Sequence, residues 1–359
     1  MARSFASLSD FLAHGFDDVI DVRSPAEFAE DHVPGALSLP VLSNEERAEV
    51  GTIYVQESPF RARKIGAALV ARNAADHIAG PLADRDGGWR PLVYCWRGGQ
   101  RSNSFASILS QIGWRAEVVQ GGYKTWRRLV SEALYEGELP LRLVLLDGDT
   151  GTAKTELLHR LAARGRPVLD LEGLARHRGS LLGTMPGGQP AQKGFETELA
   201  VVLSQLEPGA VVLAEAESSK IGALSLPPAL WKAMGAAGRI VIEAPVEARA
   251  RYLAGAYADI AADRAGLREK LMPLVRVRGR EVVDGWLALS EAGEHEQLAE
   301  ALMVQHYDPA YAKSRAAREF ETLGTVRAKR LDEAGLEAAA DAVERVLDGV
   351  KAGDRSGGL

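Results

Sequence analysis

Short apolar runs alternate with stretches of helical period through the first two thirds of the chain. Asp18 to Val22 predicts a strand that ends in the turn DVRSP. The next residues, SPAEFAEDH, open a helix: Ser24 is placed as N-cap, Pro25 takes the first helical position, and Glu27 follows three residues after the cap. Pro91 to Tyr94, PLVY, predicts a second strand that runs directly into Cys95, and SNSFASILSQIG predicts a helix stopped by Gly113. A third strand, AEVVQ, ends at Gly121 and Gly122. Strands alternating with helices predict a mostly parallel sheet with helices on both faces.

A short break near Gly137 to Pro140 separates this region from a second α/β pattern. There an apolar strand, a Gly-rich turn and a helix follow in LRLVLLDGDTGTAKTELLHRLAARG, with further strands at RPVLDL, AVVLAEAES and RIVIEAP. After about residue 246 the strand signal stops, and an Ala-, Arg- and Glu-rich helical pattern with Pro273 as a breaker takes over. The pattern predicts an α/β domain over 1–136, a second one over 137–250, a helical region over 251–350, and a disordered tail over 351–359.

Composition narrows the setting. The 359 residues are 46% hydrophobic and 26% charged, which fits a globular chain large enough for two or three domains. No apolar run approaches the length of a membrane span, and the N-terminus lacks the apolar core of a secretory signal. Cys95 is the single cysteine, so no intramolecular disulfide forms; a reducing cytoplasm is the expected location. A multi-cysteine zinc site is excluded. With a net charge of −6, nucleic-acid binding needs a local basic face.

Candidate chemistry concentrates in two turns. The first is YCWRGGQRS, residues 94–102. Gly98 and Gly99 allow a tight turn in which successive backbone N–H groups and a helix N-terminus point at one centre. Cys95 is then an activated nucleophile, with Arg97 and Arg101 adding positive charge and Trp96, Gly98, Gly99 and Gln100 forming the anion loop. Together with DVRSPAEFAEDHVPGA at 21–36 and GGYKTW at 121–126, the loop resembles the rhodanese family. That resemblance implies that the cysteine carries a chalcogen atom. Asp21 and Arg23 match the family's DVR turn, where the plainer expectation is a structural ion pair; His32, Pro34 and Gly35 match its H-x-P-G-A element. The C-x5-R-S spacing also matches the phosphate loop of cysteine phosphatases, so the residues leave a chalcogen carrier and a phosphatase both open. Tyr94 stands where phosphatase loops usually carry His, and no obvious general acid follows.

The second turn is GDTGTAKT, residues 148–155, between a strand and a helix as a phosphate-binding loop requires. Gly148, Thr150, Gly151 and Thr152 supply the cradle, Lys154 reaches outer phosphate oxygens, and Thr155 is placed for Mg²⁺. Ala153 departs from the G-x4-G-K-[ST] pattern, because a left-handed turn at that position favours Gly. Glu215 and Glu217 are either Mg²⁺ ligands or solvated strand-end carboxylates. Asp170, Glu172, Arg176, His177 and Arg178 follow a strand, where α/β sheets bind ligands, and form a second candidate cluster.

The two turns in this order, with DLEGLARHRGS at 170–180, QKGFE at 192–196 and ESSKIG at 217–222, resemble the bacterial tRNA 2-selenouridine synthase family over about residues 10–310. The resemblance implies a rhodanese-like parallel sheet followed by a P-loop α/β domain with a helical C-terminal region. It implies an enzyme that converts wobble 2-thiouridine of tRNA to 2-selenouridine. A geranyl group from geranyl diphosphate is first attached to sulfur, and selenium from selenophosphate, carried on Cys95, then replaces S-geranyl. The partners implied are the tRNA anticodon region and, by docking, the selenophosphate-producing enzyme. The phosphate loop is expected to bind geranyl diphosphate. Candidate basic faces are RARK at 61–64, RHR at 176–178, Arg264 to Arg280 and RAKR at 327–330; Arg276, Arg278 and Arg280 form the densest. Two other classes stay open: a sulfurtransferase or cysteine phosphatase fused to a P-loop ATPase or kinase, and a non-catalytic RNA-binding module.

Overall fold

A computed structural model describes residues 1–136, 139, 141–316 and 320–355. The expected break at 137–140 lies outside the described residues except for Leu139, as does the end of the tail, 356–359. The chain divides into two compact units. The first comprises Met1–Glu138 with Pro190–Gln205, and the rest of the described chain forms the second.

In the first unit five strands run parallel: β1 (Ala2–Arg3), β2 (Asp18–Asp21), β3 (Leu37–Ser38), β4 (Pro91–Tyr94) and β5 (Glu117–Val119). Their order is β1-β5-β4-β2-β3, which puts β4 at the centre. A central strand covered on both faces must be apolar throughout, and all four residues of PLVY are buried. Ile20, Val93, Phe105, Leu109 and Val118 form the core around it. The predicted capping box is present, with Ser24 and Glu27 satisfying each other's backbone N–H groups. Gly113 ends the helix Gln100–Ile112 in the left-handed region at φ 111°. Between β3 and β4 stand the helices Asn44–Gln56 and Pro59–Ala79, capped by Ser43 and Ser58.

The second unit holds another parallel sheet: β6 (Arg142–Asp147), β7 (Val168–Leu169), β8 (Val211–Glu215), β11 (Gly238–Glu243) and β12 (Thr322–Arg327), in the order β12-β11-β6-β8-β7. A small antiparallel hairpin, β9 (Lys220–Ile221) and β10 (Leu224–Ser225), follows β8. Helices between Val246 and Ala316 gather a separate apolar cluster that includes Leu267, Trp286, Leu298 and Leu302.

Three expectations about boundaries are corrected. The helix Gln192–Gln205 belongs to the first unit, although it lies in sequence between strands of the second. Buried Glu196 explains this: its carboxylate pairs with Arg127 and accepts from the Tyr135 hydroxyl at 2.8 Å, while Trp126 donates to Thr197 at 3.3 Å. Strand formation does not end near residue 246. β12 adds the edge strand beside β11, and Leu336, Ala340, Val343 and Leu347 of the helix Glu333–Arg355 complete the core of this sheet. That helix is also laced to Arg160, Arg164 and Arg166 by Glu333, Glu337, Asp341, Glu344 and Asp348. The tail expected to be disordered from 351 continues this helix through Arg355. Among the described residues no helix is long and apolar enough to cross a membrane.

Candidate functional site

Cys95 leaves the end of β4, and its side chain is buried. The sulfur accepts the Gly99 N–H at 3.3 Å and lies 3.2 Å from Ser102 Oγ. The helix Gln100–Ile112 begins one residue beyond that N–H, so the sulfur faces a helix N-terminus. Glycine makes this loop possible. Gly98 and Gly122 have φ of 63° and 61°, and a Cβ on Gly122 would stand 2.2 Å from the Cys95 carbonyl oxygen. That carbonyl accepts the Tyr123 N–H at 2.8 Å, and the Trp96 carbonyl accepts the Lys124 N–H at 3.1 Å. The GGYKTW turn thus clamps the nucleophile loop from below.

Asp21 and Arg23 support this arrangement and take no part in the open surface. Both are buried, with Arg23 Nη2 donating to Asp21 Oδ2 at 2.6 Å and to the Asp31 carbonyl at 2.6 Å. The guanidinium also lies 3.9 Å from the centre of the Tyr123 ring. His32 hydrogen-bonds the Phe28 carbonyl and stacks on the Phe28 ring.

Arg101 is not a free cation. It donates to Glu27 at 2.9 Å, and Arg47 pairs with the same carboxylate at 2.9 Å. Burial works against charge on Glu27, but Arg101, the Ser24 N–H and Arg47 outweigh it and hold its pKa below the ordinary value. Cys95, Trp96, Arg97, Gly99, Gln100 and Arg101 line a groove of about 930 Å³. Its other wall is the helix pair Asn44–Gln56 and Pro59–Ala79, which contributes Arg47, Tyr54 and Arg63. Sequence reasoning missed Glu27, Arg47 and Ser102 as neighbours of the nucleophile. The signal for Ser102 was present in the C-x5-R-S spacing, whereas Arg47 comes near only through tertiary packing.

The phosphate loop has its expected strand–turn–helix frame between β6 and the helix Lys154–Ala163. Ala153 adopts φ 59° and ψ 34°, so alanine takes up the left-handed conformation that a glycine would hold at low cost. Lys154 Nζ donates to the Gly148 carbonyl at 2.8 Å, Thr152 Oγ to the Asp149 carbonyl at 2.9 Å, and the Arg249 guanidinium to the Thr150 carbonyl at 3.1 Å. Arg249 is itself fixed by Asp308.

A cavity of about 270 Å³ gathers Thr150, Gly151, Lys154, Thr155, Asp170, Glu172, Arg178 and Glu217. It draws these residues from three separate sequence clusters but not all of any one. Asp170 caps the helix Leu171–Ala175 through the Gly173 N–H and pairs with His159 at 2.7 Å. Arg178 pairs with Asp259 at 3.0 Å and lies over Tyr257. Arg176 is exposed in the left-handed region at φ 47°, and buried His177 forms a bridge with Thr184; neither lines the cavity.

The carboxylates divide the candidate Mg²⁺ set. Glu215 is fully buried, accepts the Leu171 N–H at 3.2 Å, and lies outside the cavity lining. Burial, then Asp170 and Glu172, raise its pKa well above the ordinary value, which suits a neutral structural group. Thr155 Oγ instead donates to Glu172 at 3.1 Å. Burial, followed by repulsion from Glu217, pushes Glu172 up to about 8. Thr155, Glu172 and Glu217 offer hard oxygen donors, and a cation bound among them would favour the ionised form of Glu172, so the set could hold Mg²⁺. Among the described residues no group of three or more His, Cys, Asp or Glu side chains forms a metal site alone.

Of the basic residues expected to meet RNA, Arg278 is turned inward. It donates to His306 Nδ1 at 3.1 Å and to the His306 carbonyl at 2.9 Å. Arg276 and Arg280 are exposed. In RARK, Arg63 faces the Cys95 groove and Arg61 pairs with Glu57.

Comparison with known proteins agrees with this two-part construction. The model of the rhodanese-like domain matches residues 4–129, and that of the tRNA 2-selenouridine synthase AAA domain matches residues 141–270. A tRNA 2-selenouridine synthase of Hahella chejuensis is 33% identical over 330 residues, covering 82% of this chain and 84% of that protein. Its counterpart in Alcanivorax borkumensis is 32% identical over 84% of this chain and 91% of that protein. The protein of the same name in Aeromonas salmonicida is 38% identical over 68% and 66%. With both domains matched in order and identity sustained across most of its length, the chain belongs to the tRNA 2-selenouridine synthase family.

Proposed function

We propose that this protein converts 2-thiouridine at the tRNA wobble position to 2-selenouridine by way of an S-geranyl intermediate. The observation that carries the proposal is the setting of Cys95. A lone nucleophile sits among backbone and hydroxyl donors at a helix N-terminus, and it opens on an arginine-lined groove in a chain of this family. A soft nucleophile in an anion cradle suits selenium transfer. In this reading the Cys95 loop, with the thiol at its centre, holds selenophosphate: its selenium forms a C–Se bond at C2 of the base as the C–S bond breaks and geranylthiol leaves, and water then cleaves the Se–P bond to release phosphate. Arg97 and Arg63 meet anionic oxygens, while Arg101 keeps the loop in place through Glu27.

The phosphate loop takes geranyl diphosphate. The thiocarbonyl sulfur attacks C1 of the geranyl group, a C–S bond forms as the C–O bond to diphosphate breaks, and the base releases its N3 proton. Loop N–H groups and Lys154 stabilise the charge that grows on the departing diphosphate. Thr155, Glu172 and Glu217 would hold Mg²⁺, which supplies further neutralisation of that charge when bound. The exposed Arg276 and Arg280 contribute to holding tRNA. Docking of the selenophosphate-producing enzyme belongs to the same reading. The phosphatase alternative is disfavoured because, among the described residues, no carboxylic acid or histidine lines the groove beside Cys95 to protonate a leaving alcohol.

Mass spectrometry of tRNA nucleosides tests this scheme in cells lacking the gene and complemented with variants. Selenouridine should vanish with either Cys95→Ser or Lys154→Ala, and S-geranyl-2-thiouridine should accumulate only with Cys95→Ser. Persistence of selenouridine without the gene overturns the proposal. Turnover of ATP by the purified protein without tRNA would favour the fused ATPase reading.

A further inference from the structure

The phosphate cavity has a neighbour with the opposite character. A second cavity in the same unit, of about 70 Å³, is walled by Leu253, Ala254, Ile260, Leu267, Leu298 and Leu302 among others. Thr150, Ser180, Leu253 and Tyr257 line both cavities, so the two adjoin along the first turn of the phosphate loop. The cavity exceeds the space that a single water molecule needs. It is also unusual inside a packed apolar cluster, since Ile260, Leu267, Leu298 and Leu302 belong to the buried core of this region and close-packed cores leave few voids larger than water.

Polar groups are distributed unevenly. Thr150, Ser180 and Tyr257 stand where the cavities adjoin, and the Ser180 and Tyr257 hydroxyls lie 3.4 Å apart. Among residues that line only the apolar cavity, His295 and Tyr307 alone carry polar side-chain atoms. A nucleoside would bury a base and a ribose there and leave most of their donors and acceptors unmatched, at substantial cost. A hydrocarbon chain has no such requirement. The paired cavities therefore match an amphiphile with a diphosphate at one end and an aliphatic chain at the other.

We infer that the cavity walled by Leu253, Ile260, Leu267, Leu298 and Leu302 is the isoprenoid subsite of the phosphate loop, and that Leu298, Ala299 and Leu302 limit the chain length it accepts. The inference rests on the proposed reading of the loop as a prenyl diphosphate site. It adds where the chain goes and which residues select it. Leu298, Ala299 and Leu302 lie on the helix His295–Leu302 and line only the apolar cavity, so changing them alters its volume without touching the phosphate cradle.

Binding of three probes to the full-length protein, measured by calorimetry with Mg²⁺, separates the outcomes. The probes are geranyl diphosphate, farnesyl diphosphate and inorganic diphosphate. Ala299→Leu adds three carbons to the wall and should weaken geranyl diphosphate by about tenfold or more while leaving inorganic diphosphate unchanged. Leu298→Ala enlarges the cavity and should shift preference toward farnesyl over geranyl diphosphate by about tenfold. Circular dichroism confirms folding, and the unchanged binding of inorganic diphosphate serves as an internal control. If both variants bind all three probes as the unaltered protein does, the subsite is wrong while the diphosphate reading stands. If the unaltered protein binds neither geranyl nor inorganic diphosphate, the reading beneath it fails as well.

Discussion

The Cys95 loop and the phosphate loop are both Gly-rich turns between a strand and a helix, yet they handle charge in opposite ways. Around Cys95, backbone and hydroxyl donors reach the sulfur, Arg97 and Arg63 face the groove, and Glu27 offsets Arg101 and Arg47. Around the phosphate loop, Lys154 is turned onto loop carbonyls, and burial with the nearby Glu217 pushes Glu172 up to about 8. The first site is complete for an anion as it stands. The second would, in the reading proposed above, take a cation on Thr155, Glu172 and Glu217 beside its anionic ligand. The two-step modification proposed above would benefit from this division, because its leaving diphosphate would need strong neutralisation, whereas selenium transfer beside a thiol would need access and a modest cradle.

Gly122→Ala is the most damaging way to break that comparison. Its Cβ would meet the Cys95 carbonyl and the Gly98 N–H, and the alanine would also be forced to positive φ. A loss of about 2–3 kcal/mol is expected, with selenation abolished and S-geranylation retained. Thermal unfolding and nucleoside analysis check the two parts, and loss of both steps together would show that the loops are not separable.

Glu172→Gln probes the raised carboxyl at the phosphate loop. Glu172 has a folded pKa of about 8, above its ordinary value of 4.5, so the folded state retains a proton that the unfolded state has lost. Stability should therefore fall as pH rises from about 4.5 to 8, and the glutamine variant should fall less over that window. Melting temperatures of both proteins at pH 5 and pH 8.5, without ligand, measure the difference; parallel curves would remove Glu172 as the cause.

Ala153→Gly relieves a left-handed alanine and should stabilise the protein by about 1 kcal/mol, less whatever the more flexible unfolded chain takes back. A lowered melting temperature would contradict this account of the turn. The smallest effect is expected from Arg276→Ala with Arg280→Ala. Both side chains are exposed, and their removal should lower the salt dependence of tRNA binding by about one unit of log-log slope per lost phosphate contact. Arg278→Ala should act differently, reducing stability through its lost bonds to His306.

Local patterns were legible where they depend on near neighbours in the chain. The Ser24 cap, the Gly113 stop, the PLVY strand and the frame of the phosphate loop each rest on a few consecutive residues. β12 was not legible, because TLGTVR is a short edge strand whose identity comes from pairing with β11. The helix Gln192–Gln205 was assigned by its place in sequence, whereas the buried Glu196 and its partners Arg127 and Tyr135 decide which unit it joins. In the candidate sites, Arg278 read as part of an RNA-facing basic stretch and His177 as a ligand contact until packing placed them against His306 and Thr184.

The sequence by itself determined the two Gly-rich turns, the position of the candidate nucleophile and the order of the domains, since strand–turn–helix signals and glycine spacing act over fewer than ten residues. Only the tertiary structure decided which charges face a ligand. Burial separates Glu215 from Glu217, ion pairing separates Arg101 from Arg97, and packing among distant helices leaves open an apolar cavity beside Thr150. Those outcomes depend on the dielectric surroundings and on partners far apart in the chain, which no local pattern encodes.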